Sequence, residues 1–144
     1  MTGKERQVLM TNKSGPGFHH VAFRAFDFDK SIAFYEKAFG FHVAYNWGDA
    51  PKRAAMIDIG SGDYIEIFEG GVRPSESVEG TLIHFALRVP DCDTAFKRAV
   101  DAGAAVQMEP KEVPIQGKPV VSVRIAFIKG PDNETIEFFQ NEVL

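Results

Sequence analysis

Residues 18–40, FHHVAFRAFDFDKSIAFYEKAFG, and residues 82–103, LIHFALRVPDCDTAFKRAVDAG, carry one pattern twice. An offset of 64 sets His20 over His84, Ala22 over Ala86, Arg24 over Arg88, Asp27 over Asp91 and Asp29 over Asp93. In each copy a short apolar strand (Phe18 to Ala25; Leu82 to Val89) leads through an aspartate-flanked turn into a helix that ends at glycine. In the first helix Ile32, Tyr35, Ala38 and Phe39 recur at helical spacing, between Asp29 as N-cap and Gly40 as the left-handed stop. Ala95, Phe96, Ala99 and Val100 do the same in the second, between Asp93 and Gly103.

Three strand-like stretches follow each helix. The first copy has His42–Trp47, Ala54–Ile59 and Tyr64–Phe68, separated by Gly-Asp-Ala-Pro and Gly-Ser-Gly-Asp turns. The second has Ala105–Met108, Val120–Ile128 and Thr135–Phe139, with Gly130-Pro131-Asp132-Asn133 as its turn. Late in each copy the offset grows to 71, where Ile65-Glu66-Ile67-Phe68 faces Ile136-Glu137-Phe138-Phe139. The second copy thus holds seven extra residues, expected in a Lys111–Pro119 loop. The pattern predicts an α+β fold: two βαβββ modules, residues 18–70 and 82–144, pairing into a curved, cup-shaped mixed sheet with the helices outside. Residues 71–81 form the linker and residues 1–17 a flexible tail, and the two modules together make one domain.

Composition agrees with a soluble domain. The 144 residues are 44% hydrophobic, and 13 of them are Phe, enough for a core. A net charge of −4 gives no reason to bind nucleic acid. Nothing approaches the ~18 consecutive apolar residues of a membrane helix, and the first 17 residues lack the apolar stretch of a signal peptide. A single cysteine, Cys92, excludes an intrachain disulfide framework and fits a reducing, cytoplasmic compartment.

Strand alternation sorts the side chains. Val21, Phe23 and Ala25 oppose His20, Ala22 and Arg24; Phe85, Leu87 and Val89 oppose His84, Ala86 and Arg88. Ile65 and Ile67 oppose Glu66, as Ile136 and Phe138 oppose Glu137. Each module therefore offers one His and one Glu on the sheet face away from its helix. Any one of the four is explained by a solvated sheet face or a satisfied core histidine. The same pair at equivalent places in two copies is not, because charged groups are rarely buried unless paired. Two modules related by a pseudo-twofold axis would bring two imidazoles and two carboxylates to one point, and a cation satisfies all four. Without a thiolate, the set argues against a closed structural zinc site; it suits Zn²⁺, Ni²⁺ or Co²⁺ first and Mn²⁺ or Fe²⁺ second. An octahedral ion would keep two positions open.

The segment Phe18–Phe41 resembles the opening module of the vicinal oxygen chelate superfamily, which holds glyoxalase I, methylmalonyl-CoA epimerase, extradiol dioxygenases and resistance proteins for fosfomycin and bleomycin. Leu82-Ile-His-Phe-Ala-Leu-Arg-Val-Pro-Asp resembles the start of its second module, and Ile128–Phe138 its closing hairpin. The resemblance implies a metal held by His20, Glu66, His84 and Glu137. His20 rather than its neighbour His19 is the ligand by alternation, with His19 turned to the helix side; His42, without a repeat partner, is structural or exposed.

The two-His, two-Glu set resembles glyoxalase I. It implies a lyase or isomerase that removes a proton next to a metal-bound carbonyl through an enediolate. Glu137 is the first choice for the base and Glu66 the second. Arg24, four residues after His20, occupies the place of a substrate-contacting arginine, and Arg88 is its repeat partner. One departure stands out: glutathione-dependent glyoxalases carry an asparagine four residues beyond the first glutamate, and here that residue is Gly70. The alternatives are an epimerase of the methylmalonyl-CoA type, an extradiol dioxygenase, and a non-catalytic binding protein like the bleomycin-sequestering ones. The partners expected are a small-molecule substrate and a second copy in a homodimer, with the modules pairing within one chain or across two.

Overall fold

Among the described residues of the computed structural model, 16–73 and 80–144, eight strands and two helices follow one another. The first copy gives β1 (His20–Arg24), α1 (Phe28–Phe39), β2 (His42–Trp47), β3 (Ala54–Asp58) and β4 (Tyr64–Phe68). The second gives β5 (Phe85–Arg88), α2 (Cys92–Asp101), β6 (Ala105–Ile115), β7 (Val121–Lys129) and β8 (Thr135–Gln140). The chain is α+β, with two four-stranded mixed sheets ordered β1-β4-β3-β2 and β5-β8-β7-β6. Each sheet has one parallel pair, β1 with β4 and β5 with β8, because a helix carries the chain over between the module's first and second strands. The sheets belong to two compact units, one around β1–β4 and one around β5–β8. Most of the expected tail, residues 1–15, and the middle of the expected linker, 74–79, lie outside the described residues.

The inner faces form as the alternation predicts. Ile57, Ile65 and Ile67 are fully buried in the first unit, and Ile128, Ile136 and Phe138 in the second. Each such side chain contributes roughly 1.5–3 kcal/mol relative to exposure. Tyr35 of α1 is fully buried, its ring 6.1 Å from that of Phe23 on β1.

Several local expectations are corrected. The N-caps are Asp27 and Asp91, which accept from the amides of Lys30 and Thr94 at 3.1 and 2.9 Å, rather than Asp29 and Asp93. The latter two sit in the first helical turn, and each is taken by an arginine. Arg53 donates to both oxygens of Asp29 at 2.9 and 3.2 Å and to both of Glu69; Arg124 donates to both oxygens of Asp93. Asp29 and Asp93 are related by the offset of 64, and Arg53 and Arg124 by 71, so the repeat contains a duplicated helix-to-strand clamp. Gly40 ends α1 in the left-handed region as expected (φ 70°). The seven extra residues are not a loop: β6 runs on to Ile115 and pairs with β7 as far as Val121, past two bulges. Alternating Val113 and Ile115 opposite Val123 and Val121 carry that extension. The strand expected from Leu82 begins only at Phe85, which leaves His84 just before the ladder.

Candidate functional site

Residues paired across a ladder share a face, and alternate residues along a strand return to it. In the first sheet this builds parallel rows on the face away from the buried isoleucines. One row runs Arg24, Phe68, Ala54, Trp47, and the next Ala22, Glu66, Met56, Tyr45. His20 lies beyond, in the row of Tyr64 and Asp58. In the second sheet the corresponding rows are Arg88, Phe139, Ile125, Lys111 and Ala86, Glu137, Phe127, Met108.

The second sheet brings its His and Glu together: His84 Nε2 lies 2.9 Å from Glu137 Oε2. Glu137 is 8% exposed, flanked along β8 by the fully buried Ile136 and Phe138, and His84 packs edge-on to Phe127 at 5.3 Å. Burial pushes the Glu137 carboxyl above the ordinary carboxylate range, and the neighbouring His84 opposes that shift. In the first sheet His20 is exposed and Glu66 half-buried, on one face. His20 Nδ1 meets His19 Nδ1 at 2.9 Å, one ring donating and the other accepting; with His20 as the donor, the lone pair of its Nε2 is left for a ligand. His19 is therefore not turned away from His20 as alternation implied; it precedes the first ladder residue, where alternation no longer applies, and its ring lies 5.3 Å from that of Tyr64. His42 is exposed, 3.8 Å from Asp58. Among the described residues no three His, Cys, Asp or Glu side chains are gathered as a metal-holding group.

The donor chemistry of the second sheet fits a divalent ion. The imidazole and the carboxylate are both donor types that such ions accept, and at 2.9 Å the pair is joined by an ordinary N–H···O contact.

Arg24 lies with its guanidinium carbon 5.9 Å from the centre of the Phe68 ring, and Arg88 is exposed at the matching place. Gly70 has φ +94°, a conformation that disfavours any side chain there, asparagine included. Sequence reasoning missed the aromatic group of the first face. Tyr45 and Trp47 stack with centres 5.7 Å apart, and Trp47 meets Phe68 edge-on at 6.2 Å. The signal was present: two aromatic residues two apart on a predicted strand share one face.

Comparison with known proteins matches most of the chain. Residues 17–138 match the model of the Glyoxalase/Bleomycin resistance protein/Dioxygenase superfamily. The uncharacterized protein YwkD of Bacillus subtilis is 27% identical over 127 residues, which cover 85% of this chain and 94% of that protein. Lactoylglutathione lyase GLX1 of Arabidopsis thaliana is 28% identical over 133 residues, 89% of this chain but only 45% of the plant protein. This chain thus spans about half the length of that relative. Among solved structures, a V278E mutant of glyoxalase I from Zea mays superposes with a TM-score of 0.70 at 22% identity, over 86% of this chain and 44% of that one.

Proposed function

We propose a reaction from one premise: the chain belongs to the Glyoxalase/Bleomycin resistance protein/Dioxygenase superfamily. The protein is a metal-dependent, glyoxalase I-like lyase or isomerase that abstracts a proton next to a substrate carbonyl, acting as a homodimer on a small carbonyl or thiohemiacetal compound. The observation that carries this reading is the His84–Glu137 contact at 2.9 Å on a carboxylate only 8% exposed. A carboxylate set between two buried apolar residues is costly unless it has a task or a partner.

His20, Glu66, His84 and Glu137 are the residues that would hold the ion, Zn²⁺, Ni²⁺ or Co²⁺ before Mn²⁺ or Fe²⁺. When bound, the ion supplies Lewis-acid stabilisation of the negative charge that develops on a carbonyl oxygen. Glu137 takes the proton, with Glu66 as the second candidate. Burial serves that role, because it raises the proton affinity of the Glu137 carboxylate toward that of a useful base. Arg24 holds an anionic group of the substrate, donating from its planar fork. Gly70 offers no side-chain amide where glutathione-dependent enzymes carry one, so the thiol partner is open to compounds other than glutathione.

The test is turnover by the Zn²⁺-, Ni²⁺- and Co²⁺-loaded protein, screened against methylglyoxal with glutathione and other thiols and against methylmalonyl-CoA. Metal-dependent turnover is expected, falling at least about a hundredfold in Glu137→Gln. A Glu137→Gln variant as active as its parent removes Glu137 as the base. Protein that binds no divalent ion overturns the reading in favour of a binding module.

A further inference from the structure

We propose that the face of the first sheet away from its buried isoleucines is a site for an aromatic anion: a flat ring lies against Tyr45, Trp47 and Phe68, and an acidic substituent pairs with Arg24. The inference deepens the proposed function by naming the substrate class, and it rests on that reading only for the claim that the bound molecule is also turned over.

The rings are unusual in their exposure. Tyr45 is 48% and Trp47 38% exposed, although each is large enough to supply major burial. They are also ordered against each other, with Tyr45 stacked on Trp47 at an interplanar angle of 28° and Trp47 set edge-on to Phe68 at 87°. Such a surface presents ring faces and edges, to which another ring is better matched than a saturated group of equal size.

The cation is equally specific. Arg53 and Arg124 are saturated by carboxylates in the helix clamps. Arg24 meets no acid among the described residues; it rests on the Phe68 ring and keeps its donors for an incoming anion. It is also the one lysine or arginine in the first-sheet rows described above.

The duplication supplies an internal control. What the fold needs recurs in both copies, as the clamps do. The aromatic pair does not: Met108 stands in the place of Tyr45 and Lys111 in that of Trp47. The floor differs too, since Ala54 between Phe68 and Trp47 is replaced by Ile125. The fold does without these rings in one sheet, so their presence in the other answers to a ligand. Successive residues on one face are ~6.6 Å apart, so the ring platform and Arg24 lie about one ring's length from the row of Glu66. An aromatic 2-oxo acid spans that distance.

Trp47 is the only tryptophan of the chain and reports the site directly. The full-length protein, as purified and after dialysis against a chelator, is titrated with phenylglyoxylate, with cyclohexylglyoxylate and with the neutral acetophenone, following tryptophan emission. Phenylglyoxylate is expected to change the emission in both preparations and to bind about tenfold more tightly than either comparison compound. Arg24→Gln should bring phenylglyoxylate down to the level of acetophenone, Arg24→Lys should recover part of the loss, and Tyr45→Ala should weaken both aromatic compounds. Equal binding of the cyclohexyl and phenyl acids overturns the proposal, as does an Arg24→Gln variant with parental affinity. Emission that changes on dilution without ligand also overturns it, by showing that a second copy covers the rings. Phenylglyoxylate has no hydrogen beside its carbonyl and reports binding alone, so turnover is read with phenylpyruvate, whose methylene protons can be abstracted. Phenylpyruvate bound without metal-dependent proton exchange sinks the proposed function and leaves this site standing, whereas metal-dependent turnover of aliphatic compounds with no aromatic preference does the reverse.

Discussion

Cys92 shows how far a single side chain's chemistry is set by its surroundings. It opens α2, is fully buried, and its amide donates to Gln140 Oε1 at 2.7 Å. Burial pushes the thiol up to about 11, with Asp93 adding to the shift. The thiolate is the reactive form, so this cysteine is inert at neutral pH. We expect iodoacetamide at pH 8 to alkylate the native protein far more slowly than the urea-unfolded chain, whose thiol has an ordinary pKa of ~8.5. The sign for stability follows. Between ~8.5 and about 11 the unfolded thiol ionises while the folded one does not, so the fold loses stability as pH rises through that range. Equal alkylation rates for native and unfolded protein would refute the argument. The contrast with Glu137 is instructive, since burial shifts both groups toward the neutral form. Only the carboxylate has a histidine at 2.9 Å to make an ionised state useful.

At the scale of elements, the clamps that join each helix to its sheet explain a good part of what the sequence did and did not disclose. The helices, the strand alternation and the burial of Ile65, Ile67, Ile136 and Phe138 were legible, because hydrophobic periodicity is a property of the chain itself. The identity of the caps was not. Asp27 and Asp29, like Asp91 and Asp93, are equally good caps by residue type, and the choice falls to where Arg53 and Arg124 stand, which only the folded strands decide. The hairpin extension of β6 and β7 was hidden for a related reason: Lys111–Pro119 holds four Lys, Glu or Gly residues suited to a loop, and pairing across the hairpin overrides that. The clamps also make a pH prediction. Hydrogen bonds from Arg124 hold the Asp93 carboxyl below the ordinary carboxylate range, and Arg53 does the same to Glu69. A depressed acid contributes stability that is whole above its unfolded pKa of ~4 and is lost as pH falls through the lower folded value. Arg124→Met should therefore melt below its parent at pH 7, and the gap should narrow as the pH drops from ~4 toward 2. A gap that is constant over that range would show that the substitution acts through packing alone.

For the whole molecule, the duplicated pattern made the superfamily visible, while the ligand set is a statement about both sheets at once. Within a sheet, register places His20 on the face of Glu66 and Ala86 beside Glu137, which is as far as alternation reaches. The aromatic platform escaped for the opposite reason: it is the part of the face that the duplication does not repeat. The proposed function makes His20, Glu66, His84 and Glu137 ligands of one ion, and that is testable without any substrate. An ion that binds the folded chain and not the unfolded one adds ~2.7 kcal/mol at a hundred times its dissociation constant. For a chain of this size that is a rise of roughly 5–10 °C in Tm. The shift on adding Zn²⁺ or Ni²⁺ should collapse in His20→Gln and in His84→Gln alike, while Arg88→Gln, exposed and outside the ligand set, should keep it. A His20→Gln protein that retains the full shift when His84→Gln has lost it would assign the ion to the second sheet alone. Glu66 would then lose its place beside Glu137 as a candidate base, and the first face would be left to the aromatic anion.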